Sequence, residues 1–129
     1  MNKTTGYIAI TVADFDGLAQ PIIDQIGLEP TTISQTGQPT THGRMPRRNY
    51  LSYLTEAPDP DADFEEHLAY FSRVIFPKLD WFKAVADRCK IDITIVASAE
   101  NRIPALSVDR DLMRFALALD VNVGIDIYQ

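Results

Sequence analysis

Carboxylates are the first residues whose spacing suggests chemistry. Asp59, Asp61 and Asp63, followed by Glu65 and Glu66, start with the alternate spacing that opens a calcium-binding loop. Such a loop needs glycine at its sixth position and a bidentate glutamate at its twelfth. Counted from Asp59, these positions hold Phe64 and Tyr70. The run therefore reads as a solvated acidic loop leading into a helix, and no metal site is expected. The two histidines, His42 and His67, are far apart and stand in no ligand spacing. Pairing either with Cys89, the sole cysteine, would depend on the fold. Cys89 falls on an apolar stripe near a helix C-terminus, where the dipole disfavours a thiolate, although Arg88 and Lys90 favour one. It reads as a buried, inert thiol. The six glycines form neither phosphate-binding pattern, and no G-x-S-x-G elbow occurs. No catalytic residue and no cofactor is assigned, so a non-enzymatic protein is the favoured reading.

Two constellations suit binding. The first is basic: His42, Arg44, Arg47 and Arg48, with Tyr50 nearby, in the irregular segment 29–49. Guanidinium groups suit an anionic ligand, and His42 would be the obvious general base if that ligand were a substrate. The second lies on strands. Asp92 and Thr94 share the polar face of one, and Asn122, Asp126 and Tyr128 that of another. If these strands pair, Asp92 and Asp126 meet on an uncovered face beside Tyr128, a surface that suits a protein partner.

Four stretches alternate as strands: Tyr7–Val12, Tyr50–Leu54, Ile91–Val96 and Val121–Tyr128. In the last, Val121, Val123, Ile125 and Ile127 should hold the sheet to its helices. Leu18, Ile22 and Ile26 mark a first helix, with Asp14 and Asp16 offering caps, Pro21 in its first turn and Gly27 ending it. Segment 29–49 carries no helical or strand period. Phe64, Leu68, Phe71, Ile75, Leu79 and Phe82 form one stripe of a long helix, which Pro77 should kink. Asp63 and Glu66 have capping-box spacing at its start. Ser107 is expected to cap a third helix carrying Leu112, Phe115 and Leu119. The order is β-α-β-α-β-α-β. It predicts a single α+β domain over residues 1–129: a four-stranded sheet with three helices packed mainly on one face.

Composition agrees with this. The chain has 129 residues, 46% of them apolar, enough for one core. It shows no run of membrane-spanning length and no signal-peptide pattern, which favours a cytoplasmic protein. Net charge is −6, of which −5 falls in residues 1–65 and −1 in residues 66–129. An acidic domain repels phosphate backbones, so nucleic acid is not an expected partner, whereas a basic protein is. Oligomeric state and strand order are open at this level.

Asp14-Phe15-Asp16 follow the first strand, Ile26-Gly27-Leu28-Glu29-Pro30-Thr31 follow the first helix, and Gly37 stands in the next loop. Later come Leu106-Ser107, Leu112, Leu119 and Ile125-Asp126-Ile127-Tyr128. In these residues the chain resembles the bacterial domain of unknown function 4279 family. Members often have a tryptophan in the second strand, where this chain has Tyr50 and Tyr53; its sole Trp81 is in the long helix. The family implies no activity and no catalytic residues. By analogy, similar small acidic bacterial domains serve as immunity proteins beside toxins. The expectation is thus an interaction module, with an immunity-type inhibitor of a basic toxin as its specific form. The alternative is an anion-binding protein or enzyme using the 42–50 loop.

Overall fold

The computed structural model describes residues 5–39, 43, 45–55, 63–98 and 107–128. Alternation in the strands decides the architecture. Ile8, Ile10 and Val12 of β1 (Thr5–Ala13), Leu51 and Tyr53 of β3 (Tyr50–Leu54), and Ile91, Ile93 and Ile95 of β4 (Lys90–Ser98) are buried on one side. That side is covered by α1 (Gln20–Ile26), α4 (Arg110–Leu119) and a long helical rod between them in sequence. The rod starts as α2 (Phe64–Tyr70), passes through a π-helical turn at Phe71–Ile75 and a 3₁₀ turn at Phe76–Lys78, and resumes as α3 (Leu79–Val85). Pro77, with no N–H to give, sits in the irregular part, as its chemistry requires.

The class is α+β with three helices, but the sheet has five strands, not the four expected from the sequence. The added strand, β2 (Thr32–Ser34), lies inside segment 29–49, where no strand was expected. Three residues are too few to show a period of two, and β2 exists because β3 pairs with it, Thr32 to Ser52 and Ser34 to Tyr50. With β5 (Val123–Tyr128) the strand order is β2-β3-β1-β4-β5. The sheet is mixed: the β4–β5 pair is parallel and the others antiparallel. A parallel pair needs a crossover, which α4 supplies.

The core is one cluster of these strand and helix side chains. Edge-to-face aromatic contacts run through it, Tyr53 to Phe82, Phe82 to Phe115 and Phe115 to Phe71, with centroids 5.2–5.4 Å apart. They tie β3 to α4 across the rod. Each fully buried Phe or Ile contributes about 1.5–3 kcal/mol. The caps differ from expectation. Asp14 and Asp16 precede α1 without capping it; instead the Gln35 side chain accepts from the N–H of Ala19. Asp109, not Ser107, caps α4, accepting from the Leu112 N–H at 2.9 Å. Asp63 is the cap residue of α2 but its carboxylate makes no capping bond. Gly27 ends α1 in the left-handed conformation, as expected.

Candidate functional site

The sheet face opposite the helices carries most of the polar strand residues. Strand periodicity puts Tyr7, Ala9 and Thr11 of β1 there, with Lys90, Asp92, Thr94 and Val96 of β4 and Gly124 and Asp126 of β5. Register sets the neighbours: Thr11 beside Asp92, Ala9 beside Thr94, Thr94 beside Gly124 and Val96 beside Asp126. Carried one step back, the parallel register brings Asn122 level with Asp92. Asp92 and Asp126 do not meet. Four residues of strand rise, roughly 13 Å, separate their levels. Tyr128 pairs with Ser98 through the backbone, at the Asp126 end. Lys90 shares the face of Asp92 and was overlooked in the sequence, although the same alternation points to it.

At the Asp92 end the face runs into a cleft of about 350 Å³. Ala86, Cys89, Leu119 and Val121 make its apolar part, and Lys90, Asp92 and Asn122 its polar part. It lies where the chain leaves α3 for β4 and enters β5. Burial pushes the Cys89 thiol up, and the Asp87 carboxylate adds to this while Arg88 opposes it. A protonated thiol is a poor nucleophile.

Arg48, Asn49, His67 and Tyr53 do structural work. Of the basic cluster, His42 and Arg44 lie outside the described residues, as do Asp59 and Asp61 of the acidic run. Arg47 is exposed. Arg48 Nε donates to Asp14 Oδ1 at 3.2 Å, and its carbonyl accepts from Ser34 Oγ at 3.1 Å. The guanidinium is thus engaged with a carboxylate of its own chain. Next to it, buried Asn49 joins two loops. Its Nδ2 donates to the Phe15 carbonyl at 2.7 Å, and its Oδ1 accepts from the Thr36 N–H at 2.7 Å. No sequence signal marked Asn49, because its partners are distant backbone groups.

His67 is buried in the core. Its Nδ1 donates to the carbonyl of Thr55, whose Oγ1 accepts from the Ile8 N–H at 2.8 Å. A carbonyl only accepts, so the proton is on Nδ1. Nε2 is left without a partner among the described residues. The imidazole ties α2 to the end of β3. Tyr53 is similar: its hydroxyl donates to the Leu28 carbonyl at 2.9 Å, and burial, aided by the Glu29 carboxylate, pushes its ionisation well up. Among the described residues no group of three His, Cys, Asp or Glu converges as a metal site would, and no helix is long and apolar enough to cross a membrane.

Neither a curated protein nor a solved structure matches the chain. A family model described as "Domain of unknown function (DUF4279)" matches residues 2–129. Capping, helix-stop and terminal-strand residues that carried the resemblance thus sit within a match over essentially the whole chain, and the chain belongs to the DUF4279 family.

Proposed function

We propose that this protein is a non-enzymatic bacterial interaction module of the cytoplasm, docking a basic protein on the open face of its sheet. An immunity-type inhibitor of a basic toxin is the specific form of this reading. The observation that carries it is the one-sidedness of the two layers: every described helix packs on one face. The other keeps Tyr7 37% exposed and Asp92 and Asp126 in solvent. An aromatic group with two carboxylates roughly 13 Å apart in level suits a partner bearing separated cations. Lys90 offsets Asp92, so the Asp126 end is the more negative. Three groups that would favour catalysis or anion capture are turned to other ends: His67 is held in the core, burial pushes the Cys89 thiol up, and Arg48 is bonded to Asp14.

Asp92→Lys with Asp126→Lys tests this against a co-purified basic partner. The expected result is loss of binding with an unchanged circular dichroism spectrum, since like charges across an interface are strongly unfavourable. Full affinity in the double variant would sink the assignment of this face.

A further inference from the structure

One margin of the molecule is apolar on both layers. α3 packs against both α1 and α4, so α4 is an outer member of the helical layer. On α4, Asp111 and Ala118 lie on a half-buried flank. The opposite flank carries Met113 and Leu117, one turn apart and 48% and 80% exposed. The sheet edge on this side is β5. Val121 and Val123 at its start pack against the core. Ile125 and Ile127, expected from the sequence to do the same, are 51% and 52% exposed. Their neighbours across the register, Ile95 and Ala97, are fully buried. The difference arises because β5 is the last strand of the sheet, and among the described residues it pairs only with β4.

Gly124 is a second, independent observation. Its backbone is not in the left-handed region, and a Cβ there would meet the Ile93 carbonyl at 3.7 Å and Thr94 Oγ1 at 3.9 Å, both ordinary contacts. Gly6 differs, since a Cβ there would collide with the Val96 carbonyl. Among the described residues nothing asks for glycine at 124. Inside a strand, such a residue marks the close approach of another backbone or side chain.

We propose that β5 pairs antiparallel with β5 of a second copy, across a two-fold axis at Ile125, joining two five-stranded sheets into one. The strand is self-complementary in this register. Ile125 faces itself, Val123 faces Ile127, and Gly124 leaves room for Asp126 of the second copy. Moving the axis to Asp126 would oppose two carboxylates directly, which is destabilising. Moving it to Gly124 would leave Ile127 facing Val121, before the strand begins. Above the axis the two α4 helices run antiparallel. Met113 and Leu117 extend the apolar contact beyond the strand edge, toward the roughly 800 Å² per partner of a standard interface. A two-fold pairing closes after one copy and uses up the edge, which otherwise would template aggregation. The open face stays outward in both copies, so this inference stands apart from the reading of that face.

Sedimentation equilibrium of the full chain should give twice the 14.5 kDa chain mass. Ile125→Lys and Ile125→Asp should each sediment as single chains with the wild-type circular dichroism spectrum. Mixed together they should recover the doubled mass, because residue 125 meets only itself. A wild-type chain that stays at 14.5 kDa at every concentration overturns the proposal, as does failure of the folded variants to rejoin. Should a charged variant lose its spectrum, Ile125→Cys on a Cys89→Ser background decides. A disulfide-linked dimer on oxidation, absent for Val123→Cys, upholds the axis, and a single chain overturns it.

Discussion

The two edges of the sheet are finished in opposite ways. At one edge β2 is three residues long, and its surroundings are stitched to the chain. Ser34 donates to the Arg48 carbonyl, Thr31 Oγ1 accepts from the Leu54 N–H, and Asn49 clamps the loops on either side. At the other edge β5 is six residues long, with two half-exposed isoleucines and a single charge. Short, bonded edges resist strand addition and long apolar ones invite it. Exposure of a single side chain does not separate them, since Ile33 on β2 is 50% exposed and Ile125 on β5 is 51% exposed. The difference lies in length and tethering: one edge is three residues tied to β3 and its flanking loops, the other a six-residue strand that offers a ladder.

The comparison breaks most sharply at Asn49. Asn49→Ala leaves the buried Phe15 carbonyl without this partner, and the Thr36 N–H to water, and should cost about 2 kcal/mol in urea denaturation, since an orphaned buried group costs about 1–3 kcal/mol. An unchanged midpoint would mean that the clamp does not finish the β2 edge. Tyr53→Phe removes the bond to Leu28 on the approach to β2 and should cost about 1 kcal/mol at neutral pH. It should also change the alkaline limb. Tyr53 ionises later folded than unfolded, so above tyrosine's ordinary value of 10.0 the unfolded chain binds fewer protons and stability falls as pH rises. In the Phe variant that fall should be smaller, as read by denaturation at stepped pH.

At the β5 edge, Gly124→Thr should raise the stability of the isolated chain by about 0.5–1 kcal/mol, because a β-branched residue suits a strand better than glycine. It should at the same time weaken self-association by crowding Asp126 of the second copy. Thermal melts at low concentration and sedimentation at high concentration separate the two effects. The smallest expected effect is Ile33→Lys. It should change stability by less than about 0.5 kcal/mol, as surface substitutions do, and leave the sedimenting mass unaltered. Dissociation by Ile33→Lys would erase the distinction between the edges.

Local rules visible in the residues account for much of the fold. Alternation marked β1, β3 and β4 and the side each one buries. The stripe from Phe64 to Phe82, the break at Pro77 and the stop at Gly27 follow from side-chain and backbone chemistry acting within a few residues. The same rules placed Asp92, Thr94 and Asp126 on the polar side of their strands. They could not place His67, which looks like any helical residue until Thr55 arrives from the end of β3.

What the amino-acid order determined by itself is therefore every element but β2 and the inward face of each, because those depend on neighbours two to four positions away. Tertiary structure alone decided which strands lie side by side and in which direction. Parallel pairing of β4 with β5 sets Asp126 beside Val96 and away from Asp92. Pairing with β3 creates β2 from Thr32, Ile33 and Ser34, which carry no strand signal of their own. Position at the edge leaves Ile125 and Ile127 in solvent, though their alternation matches that of a covered strand. Periodicity reports which way a side chain points, and only the assembled sheet reports whether anything is there to meet it.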